Sequence, residues 1–163
     1  MNMEPRIFGN SGFEEKVIQV RRVSKKTKGG NSIGFSVLVV VGDKKGKVGV
    51  GVGRGRDVVS GIRKGITAAK KHMIEVPILG TTVPFEMRYK FGAARILVKP
   101  AREGSGIVAG GPLRAVLEVA GVRDVVGKML GSKNKIANVY AACRALEKMG
   151  EVWMSRGGKQ KNG

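Results

Sequence analysis

One cysteine, one histidine, one tryptophan and two tyrosines are all that this 163-residue chain has of the residue types behind most disulfide, metal and stacking chemistry. A single thiol, Cys143, excludes an internal disulfide. With His72 the sole imidazole, no zinc site of Cys and His can be assembled. Cys143 falls among apolar residues at helical spacing and reads as a buried packing thiol. Aromatics are 5% of the residues, and no strand pattern carries paired rings on which unpaired bases would stack. Acids are scarce too, 12 against 31 lysines and arginines. With few carboxylates, no imidazole beside a nucleophile and no Ser or Cys next to a base, the parts for general acid–base or nucleophilic catalysis are missing, so no enzyme is expected. No apolar run approaches the roughly 18 to 20 residues of a membrane-spanning helix. Met1 to Asn10 has no basic start, apolar run or small-residue cleavage site, so the expectation is a cytoplasmic or already processed chain with no membrane partner.

What is abundant is positive charge. The formal net charge is +19 and the sequence pI is about 10.7. A compact chain this basic repels itself unless a polyanion offsets the charge, and nucleic acid is the commonest such partner. Residues 1–75 hold 16 bases and 6 acids, and residues 76–163 hold 15 and 6. Both halves are therefore expected to meet nucleic acid, unlike a neutral enzyme with a basic tail.

Glycine is the other abundance, 26 residues, and it invites a nucleotide-binding reading that the spacing rejects. The run Gly49 to Gly55 places Arg54 or Arg56 where a dinucleotide fingerprint needs its third glycine. Gly42 to Lys47 is one spacer short of a P-loop and lacks the hydroxyl that would hold magnesium. No cofactor and no metal are expected.

Periodicity divides the chain in two. Val17, Ile18, Val20 and Val23 read as a first strand, followed by a basic loop, Lys25 to Lys28, closed by Gly29 and Gly30. Phe35, Val37, Val39 and Val41 share one face of a second strand, and Gly42, Asp43 and Gly46 make a turn. In a third strand Val48, Val50 and Val52 alternate with Gly49, Gly51 and Gly53, leaving one face as bare backbone. Close approach by RNA or a neighbouring element, or a twisted or bulged strand, accounts equally for such a face. Asp57 is the expected N-cap of a helix running to about Ile74, whose apolar stripe is expected to cover the valine face and so close a self-sufficient core for residues 1–75. Gly61 and Gly65 inside that helix suggest a contact that excludes side chains.

Pro77, Gly80 and Pro84 mark the change of domain. Val83, Phe85, Met87 and Tyr89 alternate with polar residues as a strand, and Ala93 to Val98 makes another, ended by Pro100. The glycine-rich loop Gly104 to Gly111 leads into a helix with Pro112 at its first position and Gly121 at its end. Val122 to Leu130 fits strand or helix, with strand favoured. Ser132 or Asn134 caps a last helix that Gly150 should stop. The expected organisation is an extension over residues 1–12, domains over 13–76 and 77–150, and a flexible basic tail over 151–163.

The basic residues group into acid-free sets. Lys16, Arg21, Arg22, Lys25, Lys26 and Lys28 form one, Lys44, Lys45, Lys47, Arg54 and Arg56 another, and Lys70 and Lys71 precede His72 on the helix, where a phosphate-side contact or a surface position is expected. Flexible cations at hairpin ends suit phosphate and shape recognition of double-helical RNA.

RVSKKTKGGNSIGFSVLVVVGD, from Arg22 to Asp43, followed by GKVGVGVGRGRDV, resembles the opening domain of the family of bacterial-type small-subunit ribosomal protein number five. GSGIVAGGPLRAVLEVAGVRDVVGKMLGSKN, from Gly104 to Asn134, resembles that family's closing domain. The resemblance implies an α+β fold of two small domains: an N-terminal βββα domain like those that bind double-stranded RNA, and a C-terminal β-sheet domain with two helices and a left-handed crossover. It implies a noncatalytic place in the small ribosomal subunit, binding to ribosomal RNA, contact with ribosomal proteins four and eight, and roles in subunit assembly, decoding accuracy and the region where messenger RNA enters. It assigns Ser24 through Gly30, including Gly29, to the loop that approaches RNA, with Lys25, Lys26 and Lys28 as phosphate contacts. Gly106, Gly110, Gly111 and Arg114 fall in the region facing protein four. Asn31, Ser32 and Ile33 depart from the basic and aromatic residues common after Gly30 in the family.

Overall fold

Runs of β-branched residues separated by glycine turns dictate a meander. In the computed structural model, β1 (Glu14–Thr27) pairs antiparallel with β2 (Gly30–Gly42), and β2 with β3 (Lys47–Gly55). The structure describes residues 12–157. Most of the expected N-terminal extension and residues 158–163 of the expected tail lie outside the described residues, as do the side chains of Lys25, Lys26, Thr27 and Asn31. Helix α1 (Val58–Lys71) follows β3, with the Asp57 carboxylate accepting from the Ser60 N–H at 2.7 Å. The helix ends at His72, before Ile74. That residue instead opens a short strand, β4 (Ile74–Glu75), paired with the start of β3.

The pattern places α1 over the valine face of β3; the structure puts it on the glycine face. A methyl group on Gly49, Gly51 or Gly53 would collide with the carbonyl oxygens of Ala69, Gly65 and Gly61 respectively. The match is geometric. Four residues of helix advance about 6.0 Å and two of strand about 6.8 Å, so a helical row at steps of four runs nearly in step with alternate strand positions. Backbone then packs on backbone, and Val37, Val39 and Val41 meet Ile62, Ile66 and Ala69 in a small core. This contact explains Gly61 and Gly65, and it assigns the bare face of β3 to a neighbouring element rather than to RNA.

The second half forms a sheet of β5 (Met87–Phe91), β6 (Ala94–Pro100), β7 (Ile107–Val108) and β8 (Val125–Met129) in the order β5-β6-β8-β7. β7 runs parallel to β8, joined to it through α2 (Gly111–Ala120), and the other pairs are antiparallel. This is the crossover to which the expected left hand refers. Pro112 stands in the first turn of α2, and Gly121 closes it at φ +97°. Residues 122–130 resolve as strand over Val125–Met129. Val83 and Phe85 lie outside β5, and β7 forms within the expected glycine-rich loop.

Helix α3 (Lys135–Ser155) is capped by Asn134, whose side chain accepts from the Ile136 and Ala137 N–H groups. Gly150 does not stop it. The residue is buried where α3 passes the linker, 3.4 Å in Cβ terms from the Glu75 carbonyl, so its missing side chain serves packing. Half-buried Val152 and Trp153 carry the apolar pattern on, and residues 151–155 are helix rather than tail.

The valine face of β3 is buried against the second half. Leu38, Val40, Val48 and Val50 share one core with Leu117, Val119, Leu146 and Met149. Backbone bonds stitch the seam: the Lys44 N–H donates to the Val119 carbonyl at 2.9 Å, and the Gly46 N–H to that of Ala120 at 2.9 Å. The first half thus keeps a small core of its own under α1, while the other face of its sheet is closed only by the second half.

Candidate nucleic-acid interface

β3 stops pairing at Gly55, opposite Phe35, while β1 and β2 continue without it to Thr27 opposite Gly30. Five further residue pairs at about 3.4 Å each project a two-stranded ribbon about 17 Å past the sheet. The expected basic loop, Lys25 to Lys28, is therefore mostly strand, with Lys28 and Gly29 as its turn and Gly30 at φ +129°. Cross-strand hydrogen bonds join the two strands of the ribbon, while the outward backbone groups and the side chains on both edges face solvent. Ser24 and Lys28 are exposed along it, Arg21 and Arg22 are exposed at its base, and Lys25 and Lys26 occupy its outer strand.

The second acid-free set divides. Arg54 and Arg56 sit at the ribbon base, where Arg54 pairs with Ser36 and Gly55 with Phe35, itself opposite Arg22. Both are exposed and extend the basic surface of the ribbon. Lys44, Lys45 and Lys47 lie at the other end of β3, in a turn organised by Asp43, whose carboxylate accepts from the Lys45 N–H at 2.7 Å and the Lys47 N–H at 3.0 Å. Lys45 and Lys47 are exposed. Lys44 instead bonds Glu14 at 2.7 Å, its backbone at φ +60°. Lys16, 16% exposed, bonds Glu118 at 2.9 Å and so ties β1 to α2 across the seam. Both lysines have carboxylate partners within the fold, so their share in RNA contact is smaller than the sequence pattern implies.

Lys70 and Lys71 end α1, Lys70 with its ammonium 5.3 Å from the Phe13 ring. Cations here complement the helix dipole. Lys71 and His72 open on a cleft of about 620 Å³ between the halves, shared with Tyr140, Cys143, Arg144 and Glu147. Burial, with a smaller contribution from Glu147, pushes the Cys143 thiol up to about 12, which fits a packing role.

Gly106, Gly110, Gly111 and Arg114 come together around the start of α2. Arg114 is exposed in the first turn, its N–H donating to the Gly110 carbonyl at 2.8 Å. Sequence reasoning passed over Asp124, the residue that shapes this region. Its buried carboxylate accepts from the Gly106 N–H at 2.8 Å and the Gly104 N–H at 3.1 Å. A hydrogen bond from the Thr81 side chain, then those from Gly106 and Gly104, hold the carboxyl below the usual carboxylate range. A lone acid among valines, close after a glycine loop with amides to satisfy, was the available signal.

Two family models match the chain. Residues 13–77 fit that described as Ribosomal protein S5, N-terminal domain, and residues 89–153 that described as Ribosomal protein S5, C-terminal domain. Together they span well over half the sequence, in the order found here. No helix among the described residues is long and apolar enough to cross a membrane.

Proposed function

Because this chain belongs to the ribosomal protein S5 family, whose members are structural, nonenzymatic, RNA-binding proteins of the small ribosomal subunit, we propose that it grips folded, double-helical ribosomal RNA with the β1–β2 ribbon. The observation that carries this reading is a basic hairpin projecting beyond the body of the protein, joined at its base by Arg54 and Arg56. Long cations on a ribbon that extends past the third strand reach phosphates away from the rest of the sheet. The absence of paired aromatics on the ribbon favours backbone and shape recognition over base stacking. Arg21, Arg22, Ser24, Lys25, Lys26, Lys28, Gly29 and Gly30 form the primary contact, with Lys45, Lys47 and Lys71 as a second set at the opposite end of β3.

The resemblance supports the finer assignments in this proposal. Gly106, Gly110, Gly111 and Arg114 face ribosomal protein four, with protein eight a further neighbour. Through those contacts the protein contributes to subunit assembly, to translational accuracy and to the region where messenger RNA enters.

Sedimentation of tagged protein from a cell lysate tests the reading. Co-migration with small subunits is expected, and a predominantly free pool refutes it. Filter binding to small-subunit RNA should give a log affinity that falls steeply with log salt, by roughly 0.7 to 0.9 per phosphate neutralised. A flat salt response would remove the electrostatic basis of the proposal.

A further inference from the structure

The second sheet has two unlike faces. Ala94, Ile96, Val98, Val125 and Gly127 are buried toward α2 and α3, and a methyl group on Gly127 would lie 2.6 Å from the Leu113 side chain. Successive strand residues point to opposite faces, so the alternate positions look the other way. There Arg88 pairs with Leu97, and Leu97 with Lys128 on the next strand. Lys90 lies directly opposite Arg95, and Lys99 opposite Val126, which in turn pairs with Val108. All five cations are exposed, and Val108 is 54% exposed, so this face lies open.

Its composition is one-sided. None of the four strands contains an acid; Glu86 stands just before β5 and Glu103 in the loop after β6. None of the five cations has an ion-pair partner among the described residues. Like charges directly opposite on neighbouring strands are destabilising, and Lys90 with Arg95 is such a pair. Stability of the free chain gives no reason to keep this arrangement, whereas a bound polyanion would relieve it.

We propose that this open face is a second RNA-binding surface, on which Arg88, Lys90, Arg95, Lys99 and Lys128 hold the phosphate–ribose backbone of ribosomal RNA around an apolar centre at Leu97. The cations stand on a grid of about 4.8 Å between strands and about 6.8 Å between alternate residues, so consecutive phosphates can each meet one. Tyr89 is paired with buried Ile96 and belongs to the helix-covered face, so no base stacks on the open one. The surface rests on the ribosomal-RNA reading above and is separate from the ribbon, which belongs to the other sheet.

The test compares the full chain with a variant carrying Arg88→Gln, Lys90→Gln, Arg95→Gln, Lys99→Gln and Lys128→Gln, by filter binding to small-subunit ribosomal RNA across a salt series. At roughly 0.7 to 0.9 of slope per phosphate contact, the variant should lose about 3 or more from the log–log slope. Its thermal unfolding should be unchanged or slightly raised, because repulsion has been removed. A second variant, Lys90→Glu, places an acid opposite Arg95 and should raise the unfolding temperature while lowering RNA affinity. A folded five-site variant with the parent's slope, or Lys90→Glu with undiminished affinity, overturns the proposal and leaves the face to a protein partner. If the parent chain itself binds this RNA without salt dependence, the ribosomal-RNA reading fails first.

Discussion

Gly53→Ala should be among the most damaging single-methyl changes in this protein. The added Cβ would lie under 3.0 Å from the Gly61 oxygen and from the Gly65 nitrogen and Cα, all backbone atoms of α1. No rotamer change relieves a clash with backbone, so the helix must lift from the sheet, loosening Ile62, Ile66 and Ala69 over Val37, Val39 and Val41. Overpacking a tight interior typically costs about 1 to 3 kcal/mol, and a clash with immovable atoms belongs at or above the upper end, about 3 kcal/mol. In a chain of this size that lowers the unfolding temperature by roughly 6 to 12 °C. Gly61→Ala is the internal control. Its methyl would meet the Val37 side chain at 2.7 Å, with the nearest backbone atom, the Gly53 oxygen, at 3.5 Å. Val37 is buried and yields only in part, but up to about 1 kcal/mol of helix propensity offsets the cost, so the loss should be smaller than for Gly53→Ala. Urea unfolding of both variants, followed by circular dichroism, reads the difference. Equal stabilities, or a Gly53→Ala protein as stable as the parent, would refute the backbone-to-backbone packing of α1 on β3.

Residues 12–77 expressed alone should give a poorly dispersed amide spectrum and bind hydrophobic dyes, because Leu38, Val40, Val48 and Val50 lose their cover from α2 and α3; a sharp, dispersed spectrum would contradict the shared core. Changing Lys25, Lys26 and Lys28 together to Ala should leave unfolding almost unmoved while lowering RNA affinity and cutting the salt slope by about 2 to 3; unchanged filter binding would remove the ribbon tip from the interface. Asp124 has its carboxyl lowered in the fold, so its stabilising effect is present above the ordinary carboxylate value near 4 and is lost as pH falls through the lowered value. The Gly104 and Gly106 amides should thus lose protection, relative to intrinsic exchange at the same pH, in strong acid, and at neutral pH in Asp124→Ala, with insensitivity to that substitution speaking against the clasp. Cys143, its thiol held at about 12 by burial, should resist iodoacetamide at pH 8 until denaturant is added, and rapid labelling of the folded chain would mean that α3 is less tightly packed than described.

Much of the architecture was written in local pattern. β-branched alternation specified the first three strands, Asp57 and Asn134 carried their helix starts, and Pro112 and Gly121 bracketed α2, because each signal acts within one turn of its own backbone. Charge alone pointed to a polyanion, and the two long motifs pointed to the family. Periodicity is silent on which face of a strand meets which neighbour. Val48, Val50 and Val52 looked like the seat for α1, yet glycine on the other face lets the helix approach more closely and frees the valines for α2 and α3. Lys44 and Lys47 stand near Arg54 and Arg56 in sequence but occupy opposite ends of β3, since nine residues of strand reach about 30 Å. Arg88, Lys90, Arg95, Lys99 and Lys128 are scattered over some forty positions and gather on one face only through strand register. A stretch of sequence determines the conformation of its own backbone and the sum of its charge; which charges stand together, and which apolar face finds a partner, depends on long-range pairing that exists only in the folded chain.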